Sequence, residues 1–310
     1  MNVKNCAELL RKNDGFLILT HTRPDGDTLG SAAALCLALR RLGKTAWLHR
    51  NTEMTPKYAK YLDEELFCGA EPGYTVAVDI ADTNMLPKGF TGSVELCIDH
   101  HGTNSHYARE LLLGADKASC GEVVLELINE LCGSVTAREA DLLYIAVSTD
   151  CGCFRYANVT HETLEAASEL ARCGANLKKL NFELFRQQTR ARVTLEGKIC
   201  AGLRFLHGGA VVIATVSQEL LDSCGATEND CDDLAGIAGK VEGCVVSVTV
   251  REQTPTKTRV SVRSQPSFNS AELCRRFGGG GHDMAAGCTV DADLETVTGM
   301  IISAIDEVWE

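Results

Sequence analysis

The chain predicts an α/β protein: an N-terminal part built on a parallel sheet with helices on both faces, then a smaller α+β part with a mixed or mostly antiparallel sheet. Over residues 1–185, short β-rich runs alternate with helical patterns, as they do where crossover helices cover a parallel sheet. After about residue 200 the runs alternate or are β-branched and are separated by turns, the texture of antiparallel pairing. A length of 310 residues, 45% apolar and 23% charged, suffices for two ordinary cores.

In chain order, the readable strands of the first part are 16–20, 45–49, 75–79 and 94–99. Helical stretches follow at about 28–42, 119–132, 136–148 and 160–173. The last opens on Thr160, a residue type that caps helix N-termini, and stops near Gly174, a type that closes C-termini. Residues 186–200 are polar and basic, with Arg186, Arg190 and Arg192, and read as a helical linker between a first domain at 1–185 and a second at 201–310. In the second domain the runs 201–206, 210–216, 244–251 and 257–263 read as strands, with helices expected near 217–223, 231–239, 269–276 and 293–308.

A net charge of −12 argues against a protein that grips long nucleic acid, because that binding needs an extended basic surface. A small anionic substrate needs only a few local cations, and Arg155, Arg263, Arg275 and Arg276 lie near the motifs below. No apolar stretch approaches the roughly 20 residues of a membrane span, and the start lacks a long apolar leader, so no membrane and a cytoplasmic address are expected. The fifteen cysteines are odd in number, scattered, and include no CxxC pair; they read as mostly buried thiols.

Chemistry concentrates where strand-like runs end. His21, Asp25 and Asp27 follow the run at 16–20, Asp79 follows Val78, Asp99-His100-His101 closes 94–99, and Asp150 ends the apolar run 142–149. A single Asp in such a place is ordinarily a turn residue or a cap. Four positions at the carboxyl ends of one layer instead mark a site, because ligands in open α/β sheets collect there. Asp25 and Asp27 can aim into one cavity with His21 closing on the same ion, Asp79 suits a carboxylate bridging two ions, and His100 and Asp150 complete the second ion's shell. Four converging carboxylates carry about −4, which two divalent cations neutralise. Mixed carboxylate and imidazole ligation suits manganese better than a sulfur-bound zinc, with cobalt, iron and magnesium left open.

Four segments, His21-x3-Asp25-x-Asp27-x2-Gly30-Ser31, Val78-Asp79, Asp99-His100-His101 and Ser148-Thr149-Asp150-x-Gly152, together resemble the ordered motifs of the DHH phosphoesterase superfamily. The resemblance implies that His21, Asp25, Asp27, Asp79, His100 and Asp150 ligate two divalent metal ions, with manganese the favoured metal. It also implies that His101 faces the substrate phosphate, so that His101 and Asp79 are the catalytic pair. Cys151 departs from the pattern, which often has threonine there.

In the second domain, Arg263-Ser264 and the string from Gly278 to Gly287 carry the next signal. A bare glycine run is usually a flexible linker, but consecutive glycines can also expose N–H groups that cradle an anion. The complete string resembles the nucleotide-binding motif of the C-terminal domain associated with DHH enzymes. By that resemblance Arg263, Ser264, Gly279, Gly280, Gly281 and His282 bind the far phosphate or terminal nucleotide of a short substrate lying between the domains, assisted by Arg155.

The two-domain length resembles the stand-alone oligoribonuclease and 3′-phosphoadenosine 5′-phosphate phosphatase group within the superfamily. It implies hydrolysis of RNA from dinucleotide to pentanucleotide length into mononucleotides by a metal-bridged hydroxide, with 3′-phosphoadenosine 5′-phosphate as a second substrate. Expected partners are these short substrates, with no long nucleic acid, and a homodimer is left open. Two alternatives stay beside this reading: a phosphodiesterase for linear or cyclic dinucleotide signals, and a nucleotide-binding module without turnover.

Overall fold

The computed structural model describes residues 1–69, 71–231 and 234–309, and the chain divides into two compact units, Met1–Gln187 and Gln188–Glu310. Unit 1 runs α1 (Val3–Lys12), β1 (Phe16–Leu19), α2 (Gly26–Arg41), β2 (Ala46–Leu48), the single turn α3 (Pro56–Ala59), β3 (Tyr74–Val78), β4 (Leu96–Asp99), β5 (Glu110–Leu113), α4 (Cys120–Cys132), α5 (Ala137–Asp150), α6 (His161–Arg172) and α7 (Leu177–Asn181). Its five strands are all parallel, in the order β2-β1-β3-β4-β5. The order reverses between β1 and β3, so the chain leaves these neighbours in opposite directions and opens a crevice beyond their carboxyl ends.

Residues alternate across this sheet. Phe16, Ile18, Val76, Val78, Leu96 and Ile98 pack into a core shared with α1, α2, α4 and α5. Leu19, Ala77 and Cys97 face the other side, where irregular chain carrying Met85, Leu86, Phe90 and Tyr107 covers them. The α/β class with a parallel sheet holds, and the α-helices gather on the first face.

Close approach of helices does much of the positioning. A Cβ at Gly30 would lie 2.3 Å from the Leu142 carbonyl oxygen, and one at Gly26 would lie 2.4 Å from Thr149 Oγ1. Only glycine lets α2 lie so near α5. The contact brings Asp150, the last residue of α5, beside the start of α2. α5 itself is fixed at its N-terminus by a reciprocal cap between Thr136 and Glu139, and α6 opens on Thr160, whose side chain accepts the Thr163 N–H.

Unit 2 contains α8 (Arg190–Ala201), β6 (Arg204–Leu206), β7 (Val211–Val216), α9 (Gln218–Cys224), β8 (Val246–Thr254), β9 (Lys257–Ser264), α10 (Ser270–Arg275), β10 (Gly280–His282), β11 (Ala285–Val290) and α11 (Leu294–Asp306). The sheet order is β10-β11-β9-β8-β7-β6, with only β7 and β8 parallel, so it is mixed. Val211, Ile213, Val248 and Val262 pack with α10 and α11, while Val212, Ala214 and Val216 pack with α8 and α9 on the other face.

Two expectations change here. The stretch expected as a linker forms α8, which buries Leu195 and Ile199 in the unit 2 core and so is part of that unit. The helix expected over 231–239 is replaced by two short 3-10 turns, Leu234–Gly236 and Ala238–Lys240, with Asp232 and Asp233 outside the described residues. Gly236 and Gly239 weaken a continuous helix there. All fifteen cysteines are free thiols, and only Cys68 and Cys200 are exposed. Among the described residues no helix is long and apolar enough to cross a membrane.

Candidate metal and phosphate site

Five segments deliver the acidic and imidazole side chains. Beyond β1 the chain passes His21 and reaches Asp25, which caps α2 by accepting the N–H groups of Asp27 and Thr28 at 3.0 and 3.2 Å. Asp27 lies in the first turn of α2 against the start of α4: its carboxylate accepts N–H from Cys120 at 2.7 Å and Gly121 at 2.9 Å, and the Ser31 hydroxyl at 3.0 Å. Those two N–H groups are free helix-end donors, so the N-terminus of α4 is spent on this carboxylate. Asp79 follows β3 with φ of 61°, a left-handed conformation that Asp tolerates better than most side chains. Asp99 ends β4, and His100 and His101 follow it. Asp150 is the last residue of α5, the helix expected over 136–148, so this acid comes from a helix end and not from a strand end.

These side chains converge. His21 Nε2 lies 3.5 Å from Asp25 Oδ1 and 3.7 Å from Asp79 Oδ2. His100 Nε2 lies 3.7 Å from Asp27 Oδ2, 3.5 Å from Asp79 Oδ1 and 3.6 Å from Asp150 Oδ2. Three overlapping groups have ligand-atom spacing that could hold an ion: His21, Asp25 and Asp79; Asp27, His100 and Asp150; Asp79, His100 and His101.

Hydrogen bonding fixes which imidazole nitrogen is available. His21 Nδ1 meets the Thr22 carbonyl at 2.7 Å and His100 Nδ1 meets the Lys117 carbonyl at 3.2 Å. A carbonyl only accepts, so each Nδ1 carries the proton and each neutral ring turns the Nε2 lone pair toward carboxylate oxygens. Acceptors facing acceptors at these spacings are what a cation satisfies. Asp79 Oδ1 is buried and has no hydrogen-bond partner among the described residues, which fits the same requirement.

The electrostatics agree. Burial, then the charges of Asp27, Asp25, Asp150 and Asp99, push the Asp79 carboxyl well up; burial, then Asp150 and Asp25, do the same to Asp27. Burial and Asp25 raise Asp150 to about 7. His100 is lowered by burial and by the neighbouring His101, which favours the neutral ligand form. Burial pulls the His21 imidazole down, but the Asp25 carboxylate outweighs it and the net shift is upward.

His101 is held differently. Its Nδ1–H donates to Asp99 Oδ1 at 2.8 Å, and Nε2 has no hydrogen bond among the described residues. Asp99 also accepts the backbone N–H groups of His100 and His101 and, through Oδ2, the Asn104 side-chain amide at 2.6 Å. The hydrogen bond from His101 to Asp99 holds the imidazole above its ordinary range. Sequence reasoning gave Asp99 and Asn104 no role. Only the position of Asp99 as the last strand residue before two histidines could have flagged it, and Asn104 carried no signal.

The remaining expected residues fall outside these three groups in unit 1 or belong to unit 2. Arg155 folds its Nε–H onto the Gly152 carbonyl at 2.6 Å. In unit 2, His282, Ala285 and Arg263 are neighbours in register across β10, β11 and β9, so the His and Arg flank one alanine on the same face, and both are exposed. Ser264 Oγ donates to the Phe268 carbonyl at 2.7 Å and receives the Ser270 hydroxyl at 2.8 Å, bracing the loop. Part of the glycine run is a strand and not an open loop. A Cβ on Gly279 would meet the Gly287 carbonyl oxygen at 2.3 Å and one on Gly281 the Ala285 carbonyl oxygen at 2.5 Å, so these glycines permit the hairpin to close.

Known proteins share both halves. The DHH family N-terminal domain matches residues 15–147, and the DHHA1 domain matches residues 208–309. A Thermus thermophilus protein named bifunctional oligoribonuclease and PAP phosphatase NrnA is 36% identical over 311 residues, covering 97% of this chain and 92% of the relative. A Bacillus subtilis protein of the same name is 27% identical over 301 residues, covering 92% of this chain and 95% of the relative. An exopolyphosphatase-related protein from Bacteroides fragilis, known by crystal structure, shares the fold with a TM-score of 0.89 at 19% identity, covering 98% of this chain and 95% of that one. Members of the family that act as phosphoesterases depend on metal, which suits the acid and imidazole groups gathered here. With the matched domains in this order and the Thermus relative alike along nearly its whole length, the chain belongs to the DHH family, a DHH domain followed by a DHHA1 domain.

Proposed function

We propose that this chain is a metal-dependent hydrolase that cleaves very short oligoribonucleotides to mononucleotides and converts 3′-phosphoadenosine 5′-phosphate to AMP. The observation that carries the reading is the buried Asp79 carboxylate, hydrogen-bond orphaned on Oδ1 and shared between the His21 and His100 groups. His21, Asp25 and Asp79 would hold one manganese ion, and Asp27, His100 and Asp150 with Asp79 a second. When bound, such ions neutralise the carboxylates, lower the pKa of water and draw charge from phosphoryl oxygens.

The chain's own groups supply the rest. As an imidazolium, the form its raised pKa favours, His101 would donate Nε2–H to a phosphoryl oxygen or pass that proton to the departing oxygen as the P–O bond breaks, while Asp99 holds the Nδ1–H. Arg263, Ser264, Gly279, Gly280, Gly281 and His282 supply the donors of unit 2 for a substrate phosphate, and Arg155 the terminal nitrogens its turn leaves over. The names of the Thermus and Bacillus relatives support both activities, and the net charge of −12 supports a substrate only a few nucleotides long.

The test compares 5′-phosphorylated dinucleotide, long single-stranded RNA, 3′-phosphoadenosine 5′-phosphate, a cyclic dinucleotide and pyrophosphate as substrates in manganese, with Asp79→Ala as control. Turnover of the first and third, abolished in Asp79→Ala, is expected. Preference for pyrophosphate, cyclic dinucleotide or long strands, or an active Asp79→Ala, would overturn the assignment.

A further inference from the structure

Unit 1 carries a second concavity, about 560 Å³, lined by Asn176, Lys178, Lys179, Asn181, Phe182 and Arg186. Its shape follows from the chain. Lys178 and Lys179 lie in α7, and residues Phe182–Arg186 then form a π-helical turn closed by the Gln187 N–H on the Phe182 carbonyl at 2.7 Å. Leu180 of α7 and Leu184 of the turn are buried, and Phe182 is 52% exposed.

Three cations and one open aromatic face therefore share a pocket on a chain of net charge −12. None of Lys178, Lys179 and Arg186 comes within ion-pair distance of a carboxylate among the described residues; Glu183, which also feels the charge of Lys179, accepts the Tyr61 hydroxyl at 2.8 Å and pairs with Lys60 at 3.6 Å. Cations that track phosphates beside a ring that stacks a base are the two parts of a single-strand nucleic-acid subsite. The pocket also touches the structure that carries Asp150. Asn181 Oδ1 accepts the Tyr144 hydroxyl at 2.9 Å and contacts Cys153 Sγ at 3.9 Å. Tyr144 precedes Asp150 by six residues on α5, about 9 Å along the axis at about 1.5 Å per residue.

We propose that this pocket is an extension subsite for RNA. The nucleotides of the substrate strand that lie beyond the reacting phosphate stack a base on Phe182 and place phosphates on Lys178, Lys179 and Arg186. The inference rests on the proposed oligoribonuclease reading and explains how one site handles strands longer than two nucleotides.

The test uses the full chain in manganese, as wild type, as a combined Lys178→Ala, Lys179→Ala and Arg186→Ala variant, and as Phe182→Ala. The changed residues are exposed, and matching thermal melts check the folds. For a 5′-phosphorylated pentanucleotide, kcat/KM should fall about tenfold or more in each variant, while dinucleotide turnover stays within about twofold of wild type. The salt dependence for the pentanucleotide should also flatten in the triple variant, by about 0.7 in log–log slope for each phosphate that the protein no longer neutralises. Equal losses on both lengths, no loss on the pentanucleotide, or AMP inhibition of dinucleotide turnover that the variants relieve would overturn the proposal, the last by marking a free-nucleotide site. A titration of fluorescein-labelled pentauridylate reads the pocket without turnover. If wild type cleaves no dinucleotide but the triple variant loses affinity for that probe, the oligoribonuclease reading falls and the RNA subsite stands; equal affinity overturns the subsite.

Discussion

Asp79 and Asp150 show at the residue scale what a bound cation would relieve in this cluster. In the metal-free chain Asp150 is raised to about 7, against the ordinary 3.8 of a carboxyl in the unfolded chain. The folded state then holds a proton that the unfolded state has released, so stability present below the unfolded value is lost as pH rises through about 7. Asp27 and Asp79 shift in the same direction. Metal-free protein should therefore melt several degrees lower at about pH 8 than at about pH 5, with a smaller difference in Asp150→Asn, and manganese should restore the melting temperature at the higher pH. A metal-free melting temperature that rises over this interval would contradict the shift. The candidate ligands were legible in the sequence because a single Asp at a run end can be a cap or a turn residue, whereas carboxylates that converge from four run ends repel one another unless they share a cation. The partners that aim them were not. The Cys120 and Gly121 N–H groups reach Asp27 from more than ninety residues away, and the left-handed φ of Asp79 has no sequence signature.

At the element scale, the site depends on how closely α2 and α5 lie. Gly30→Ala would press a methyl within 2.3 Å of the Leu142 carbonyl oxygen and push α5, with Asp150 at its end, away from α2. The variant should lose about 1–3 kcal/mol of stability and bind manganese more weakly, as read by denaturant melts and calorimetry. Gly197→Ala in α8 has nothing within 4 Å of the added atom and should be neutral or slightly stabilising. Equal effects of the two substitutions would rule out close helix approach as the reason for Gly30. Strands written as apolar runs, such as β1, β3 and β4, were legible because a strand buried on both faces needs apolar residues at nearly every position. β10 and β11 were not, because Gly280-Gly281-His282 and Ala285-Ala286-Gly287 are chosen for closeness of backbones and carry no alternation. The role of α8 was hidden too, since its polar residues mask the buried pair Leu195 and Ile199.

For the whole molecule, two units each close around their own hydrophobic cores, and the sheet of unit 1 reverses its order where the loops after β1 and β3 meet. That topology places His21, Asp25 and Asp79 side by side, and α5 adds Asp150 from the helical layer. Unit 1 gathers the candidate metal ligands and unit 2 exposes Arg263 and His282, so metal binding is the property on which the proposed function depends. The most direct measurement is metal content: strip the full chain with a chelator, titrate manganese back, and follow bound ions and dinucleotide hydrolysis together. Two ions per chain and activity that returns with them are expected, and at most one ion with no activity in Asp79→Ala. A stripped chain that still hydrolyses at the full rate, or a wild type that binds no more manganese than Asp79→Ala, would contradict a two-ion site built on Asp79.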